Sequence, residues 1–174
     1  LITHNHADHI NGCQDLLNRL GAHSRSPAVA EETIRILDTE CRVISTPGHS
    51  SIHKSFYFPD LKIVFTGDLL INGGCGRVID GTMEKLFNSL KKIKDLPDDT
   101  LVFGGHDYLE GNLLFSQSIN SDDLFLKNRL DKCYKNLKEA LFIDLKNEKD
   151  TNIFLQCKTL EEFVKLRKMK DFFN

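Results

Sequence analysis

"THNHADH" (Thr3–His9) sets three imidazoles and a carboxylate within six consecutive residues. An affinity tag does not interrupt its histidines with Asn, Ala and Asp, whereas His and Asp at close spacing form a metal-site pattern. In an extended segment residues two apart point to the same side, so His4 and His6 can reach one ion together. Asp8 and His9, a turn further on, face a neighbouring position. The preceding "LIT" reads as the end of a buried strand, and the following "HINGCQDLLNRLG" carries Ile10, Cys13, Leu16, Leu17 and Leu20 at helical spacing before a stop at Gly21. The cluster is therefore expected at a strand-to-helix junction.

Three further candidate ligands stand at the ends of apolar β runs beside glycine: His49 in "STPGHSS", Asp68 in "VFTGD" and His106 in "VFGGH". Seven ligands exceed what one tetrahedral ion needs and suit two ions with open positions. The strands that would carry them are legible. "ETIRILDTECRVIST" reads as a hairpin turning at Asp38-Thr39, and "SIHKSFYFPDLKIVFTGD" as a strand pair about Pro59-Asp60. Thr82 can cap a helix with Met83, Leu86, Phe87, Leu90 and Ile93 on one face, and "TLVFGGH" is a further short strand. After Tyr108 strand signals cease, and helical spacing takes over in "DDLFLKNRLDKCYKNLKEALF" and "TLEEFVKLRKMKDFF". The expected organisation is an α/β part over residues 1–110 and a helical part over 111–174.

Composition narrows the partners. The 174 residues carry a formal charge of −2 and a pI near 6.4, which gives no basic footprint for nucleic acid or an anionic membrane. Five scattered cysteines without a C-x-x-C argue against a disulfide scaffold or thiolate zinc finger and fit a reducing compartment. No stretch has the length of a membrane span, and the first residues do not form a signal peptide. A cytoplasmic monomer is expected, or a mitochondrial one if an upstream segment supplies targeting. Neither a G-x-S-x-G elbow nor a Ser/His/Asp triad is seen.

Thr3, His4, His6, Asp8 and His9 match a T-H-x-H-x-D-H pattern, and in this the chain resembles the metallo-β-lactamase superfamily. Within it the chain is similar to the hydroxyacylglutathione hydrolase (glyoxalase II) family, through "TPGHS" (46–50), "GCGR" (74–77), "LPDDT" (96–100), "GGHDY" (104–108) and "RKMKD" (167–171). The resemblance implies an αβ/βα sandwich with a C-terminal helical domain. It implies His4, His6 and His49 on one divalent ion, Asp8, His9 and His106 on a second, and Asp68 bridging both, with Asp8 and Asp68 as catalytic carboxylates. Zinc suits these donors best, and iron or manganese is compatible with them. The implied reaction is thioester hydrolysis of S-(2-hydroxyacyl)glutathione in methylglyoxal detoxification, by hydroxide generated at a binuclear centre. Arg77, Tyr108, Arg167 and Lys170 would bind the glutathione half, cations being suited to its carboxylates. Taken without the resemblance, Arg167 and Lys170 read as solvated helix surface.

Asp107 and His53, next to ligands, are expected to support them rather than coordinate, Cys75 to occupy a tight turn, and His23 to be structural or exposed. The family pattern has Gly where Ile52 stands, Tyr near Ile79, and N-P-F-[LM]-R where this chain reads "NIFLQ". It also has strands ahead of the histidine turn, so the chain is expected to be an N-terminally incomplete piece with the first sheet largely missing. Two other readings use the same residues: a glutathione persulfide dioxygenase with one Fe(II) on His4, His49 and Asp68, and an inactive truncated metal-binding module.

Overall fold

The computed structural model describes residues 1–21 and 31–173; His23 lies outside the described residues. The histidine cluster leads into two short helices, α1 (Ala7–Ile10) and α2 (Cys13–Leu20), the second ended by Gly21 in the left-handed conformation (φ 56°). The strand expected over Leu1–Thr3 does not form. Thr3 offers one carbonyl to the Lys54 N–H (2.9 Å), and a single bond makes no ladder.

Strands β1 (Thr33–Ile36), β2 (Thr39–Ser45), β3 (Lys54–Phe58) and β4 (Ile63–Gly67) follow as an antiparallel meander. The β1–β2 turn is Leu37-Asp38, one residue earlier than expected, with φ of 48° and 63°. Both central residues of such a turn need positive φ, which the β-branched Thr39 resists. A small hairpin, β5 (Leu70–Ile71) and β6 (Gly74–Cys75), comes next. Helix α3 (Met83–Lys94), capped by the Thr82 hydroxyl on the Lys85 N–H (3.1 Å), then leads to β7 (Leu101–Gly104). β7 pairs with β4 in parallel, which requires such a crossover, and the sheet order is β1-β2-β3-β4-β7.

The remainder is α4 (Leu109–Ile119), α5 (Leu124–Lys135), α6 (Leu137–Leu141), α7 (Leu145–Thr151), α8 (Ile153–Gln156) and α9 (Leu160–Asp171). α4 runs across the expected division at residue 110. The single helical run expected around residues 122–142 is broken at Asn136 into α5 and α6. The helical part also adds a strand-like contact: Leu101 bridges Asp144, and the Leu145 N–H reaches the Thr100 carbonyl (2.8 Å).

One apolar core runs through both parts. It joins Tyr57, Val64 and Val102 of the sheet, Leu86, Leu90 and Ile93 of α3, and Phe115, Phe154 and Phe163 of the helical part. Burying each Leu or Phe contributes about 1.5–3 kcal/mol, so the two parts share the stabilisation that holds them. Because β2, β4 and β7 run in the same direction, their C-terminal ends open on one edge of the sheet. His49, Asp68 and His106 follow those ends.

Candidate metal centre and its cleft

At that edge the Thr3–His9 segment meets the strand ends. His49 Nε2 lies 3.0 Å from His6 Nδ1 and 3.5 Å from Asp68 Oδ2. His9 Nε2 is 3.3 Å from Asp68 Oδ1, and His106 Nε2 is 3.2 Å from Asp68 Oδ2 and 3.3 Å from Asp8 Oδ2. Two donor trios result, His4/His6/His49 and Asp8/His9/His106, each with its ligand atoms within 4.8 Å of one another. A third trio, His4/His9/Asp68, joins them, so Asp68 touches both groups. Gly105 permits this closeness: a Cβ there would stand 2.4 Å from Asp68 Oδ1 and 2.8 Å from His9 Cε1.

The hydrogen bonds set the tautomers. His49 Nδ1 lies 2.7 Å from the Arg77 carbonyl oxygen, which can only accept, so Nδ1 carries the proton and Nε2 faces the site bare. His53 belongs to none of the donor trios, although its ring stacks on that of His4 (centroids 5.0 Å apart); the Asp68 backbone N–H donates to its Nε2 (3.2 Å). Its Nδ1–H therefore donates to Thr46 Oγ1 (3.0 Å), itself 3.0 Å from Ser55 Oγ. Burial, helped by the neighbouring His4, pushes His53 down to about 3, and burial with the neighbouring His9 pushes His4 down to about 4. Burial also lowers His49. These rings are neutral at neutral pH, which is the form that binds a metal.

Among the described residues, His4 Nε2, His9 Nε2 and Asp68 Oδ1 are buried without a well-formed hydrogen bond, the last two lying 3.3 Å from each other. An unsatisfied buried polar atom costs about 1–3 kcal/mol, and cations bound by imidazole and carboxylate would satisfy all three. The residues present fit a binuclear centre.

Above the cluster opens a cleft of about 900 Å³, with His6, Asp8, His49, Asp68 and His106 on its floor. Arg77, Tyr108, Arg167 and Lys170 all line it, as do Ile79, Glu110 and Tyr134. Tyr108 stacks on His106 with ring centroids 5.1 Å apart, and Arg77 Nε lies 3.5 Å from Asp171 Oδ1. Lys170 donates to the Gly111 carbonyl (2.7 Å), and burial, then Arg167 and Arg77, lowers its pKa. With Arg77, Arg167 and Lys170 lining it together, this side of the cleft gathers positive charge, where an anion would be welcome.

Arg167 corrects the solvated-surface reading: it is buried, donating to the Cys75 carbonyl (2.8 Å) and to Asp171 Oδ1 (3.0 Å), with its guanidinium over the Phe154 ring. Cys75 sits in β6 rather than in a tight turn, and burial pushes its thiol up to about 11, so it is no nucleophile. Asp107 accepts from the Leu109 N–H (3.4 Å) at the start of α4. Gln156, in the divergent "NIFLQ", turns away to the Asp150 carbonyl (2.8 Å). Glu110 and Tyr134 were not legible as cleft residues, because only the packing of α4 against α5 brings them there.

Comparison with known proteins agrees with this architecture. The metallo-beta-lactamase superfamily model matches residues 27–106, and the hydroxyacylglutathione hydrolase C-terminus model matches residues 107–173. A hydroxyacylglutathione hydrolase of Prochlorococcus marinus (strain MIT 9301) is 37% identical, over 98% of this chain and 77% of that protein. One from Buchnera aphidicola subsp. Baizongia pistaciae is 36% identical, over 98% of this chain and 80% of that protein. Among solved structures, ETHE1 from Myxococcus xanthus superposes with a TM-score of 0.69 at 27% identity, covering 95% of this chain and 66% of that one. With both domain models in sequence and the relatives matched along nearly all of its length, the chain belongs to the hydroxyacylglutathione hydrolase family of the metallo-β-lactamase superfamily.

Proposed function

We propose that this chain hydrolyses the thioester of S-(2-hydroxyacyl)glutathione, S-lactoylglutathione among its substrates, to glutathione and a 2-hydroxy acid. Thioester hydrolysis is the chemistry of its family, and the observation that carries the assignment to these residues is the pair of donor trios joined by Asp68 under a basic-rimmed cleft. His4, His6 and His49 would hold one divalent ion and Asp8, His9 and His106 the other, with Asp68 between them. Zinc is assigned first on donor type, with iron or manganese as compatible occupants. Divalent ions there would lower the pKa of water toward about 7 and polarise the acyl carbonyl.

The chain's own residues do the rest. The Arg77 carbonyl holds His49 with its Nε2 toward the floor, and His53 holds the backbone of Asp68. Arg77 and Lys170 stand where the carboxylates of glutathione can be met, Tyr108 beside His106 offers a phenol to the peptide, and Arg167 backs this wall. The departing sulfur needs no general acid, since a thiol of pKa about 8.5 leaves readily as thiolate. In this scheme residues 1–110 carry the metals and 111–174 complete the substrate side. No helix among the described residues is long and apolar enough to cross a membrane. The reading is of a cytoplasmic monomer acting on a small molecule.

The test is to reconstitute the chain with zinc, manganese or ferrous ion and assay S-lactoylglutathione. Two ions per chain and thioester hydrolysis are expected. One iron per chain with oxygen consumption on glutathione persulfide, and no hydrolysis, overturns the proposal.

A further inference from the structure

The β5–β6 hairpin begins just after Asp68 and ends just before Arg77, whose carbonyl accepts from His49. Its two ends are thus tied to two ligands of the candidate centre. Its tip, however, belongs to the helical part. Four consecutive residues each give one backbone group to a helical side chain. The Asn72 carbonyl accepts from Asn112 Nδ2 (3.0 Å), and the Gly73 N–H donates to the Glu148 carboxylate (3.0 and 3.1 Å). The Gly74 carbonyl accepts from Asn152 Nδ2 (3.0 Å), and the Cys75 carbonyl accepts from Arg167 (2.8 Å).

This grip is tight and costly to build. A Cβ on Gly74 would lie 2.6 Å from the Asn112 amide, so the backbone passes against that side chain with no room to spare. Glu148 is fully buried, and its charge is balanced by the equally buried Arg129 (2.5 Å), which also reaches Thr151. A buried ion pair is a poor source of stability against an apolar pair of the same volume. The pair also stands where its carboxylate holds the Gly73 N–H.

Resting on the reading of the site proposed above, we infer that the helical part is a working component of the metal centre. By gripping the hairpin through Asn112, Glu148, Asn152 and Arg167, it sets where Asp68 stands relative to His49. These four are positioning residues: they touch neither ligand atoms nor the floor of the cleft, and they act through backbone that ends on both ligands.

The test uses the full chain loaded with Co(II), whose visible absorption reports the ligand arrangement, together with zinc affinity from competition with a chelator. Asn112→Ala and Glu148→Gln should each alter the Co(II) bands and weaken zinc binding about 10-fold or more, the range seen when groups orienting metal ligands are removed. Phe163→Leu is the control, loosening the packing of α9 on α3 and α8 without any hydrogen bond to the hairpin. It should lower the urea midpoint and leave the Co(II) spectrum as in wild type. If Glu148→Gln does not fold, because Arg129 is left buried without a counter-charge, Asn112→Ala decides alone. A folded Asn112→Ala with unchanged spectrum and affinity overturns the inference, as does a Phe163→Leu chain showing the same spectral change. A wild type that takes up no Co(II) overturns the site reading and this inference together; uptake by wild type with undisturbed variants overturns this inference alone.

Discussion

The floor of the cleft and its rim are built on opposite terms. In and beneath the floor, His4, His49 and Asp68 are buried, and among the described residues His4 Nε2, His9 Nε2 and Asp68 Oδ1 have no well-formed hydrogen bond. On the rim, each cation already has a protein partner: Lys170 the Gly111 carbonyl, Arg77 the Asp171 carboxylate, Arg167 the Cys75 carbonyl and Asp171. Atoms without partners gain nearly the whole interaction when a ligand arrives, while satisfied donors only exchange one partner for another. The floor should therefore decide whether the reaction occurs at all. The rim should decide how much substrate it takes.

Asp68→Ala attacks this division at its strongest point. Asp68 is, among the described residues, the carboxylate within reach of both histidine groups, so its loss should release at least one of two bound ions and cut hydrolysis roughly a thousand-fold or more, equivalent to several kcal/mol of charge stabilisation. Metal analysis and turnover on the same preparation check it. Near wild-type turnover with two ions bound would place the chemistry elsewhere.

The buried rings beneath the floor should also show themselves without any metal, through pH. His53 sits at about 3 in the fold, because burial and then His4 disfavour its charged form, against about 6.5 in an unfolded chain. The unfolded state therefore binds the extra proton between those values. Stability from neutral His53 is complete above pH 6.5 and lost as pH falls toward 3, with a slope approaching about 1.4 kcal/mol per pH unit. His4, pushed to about 4, adds in the same direction over the upper part of that window. Urea unfolding of the chelated protein between pH 7 and 4 should show this decline, and His53→Gln should flatten it. A stability independent of pH over that range would mean that the rings are not held neutral.

The same contrast explains what could be read from sequence. Candidate ligands announce themselves because few residue types can hold a metal: His49, Asp68 and His106 each end an apolar β run beside glycine, and the fold brings those three ends together. Strand content and the helical character of the C-terminal region followed from the same runs. The Asp38-Thr39 turn was displaced by one residue because positive φ, rather than polarity, chose the turn pair. Leu1–Thr3 had strand composition but, among the described residues, one backbone bond, from the Lys54 N–H to the Thr3 carbonyl. The rim was harder, since its side chains are ordinary helix residues whose use depends on packing. Arg167 and Lys170 have the spacing of a solvated face, yet the first is buried over Phe154 and the second half-buried near Phe115. Glu148 and Asn152 hold backbone more than seventy residues away, which no local pattern reports.

On the rim, Arg167→Ala and Lys170→Ala should part company, although similar spacing on α9 would make them equivalents. Lys170→Ala removes a cation that meets substrate equally in ground and transition states, so KM should rise about 10-fold with kcat nearly kept. Arg167→Ala also frees the Cys75 carbonyl, and through the hairpin it should lower kcat as well as raise KM. Steady-state kinetics on S-lactoylglutathione separates the two. Identical effects in both variants would return Arg167 to the role of a simple carboxylate ligand.

The smallest effect should come from Tyr108, which belongs to both regions. Its ring lies nearly parallel to that of the floor residue His106, while more than half of the residue is exposed at the rim. Tyr108→Phe keeps the stack and loses only the hydroxyl, so KM should rise about two- to five-fold, the value of one exposed hydrogen bond, with metal content and kcat unchanged. Tyr108→Ala removes the ring as well and frees the His106 imidazole to turn away from Asp8 and Asp68, so kcat should fall and the second ion should bind more weakly. If Tyr108→Phe already costs an ion, the hydroxyl acts on the floor. The line between a region that permits the reaction and one that sets substrate affinity would then run above Tyr108 instead of through it.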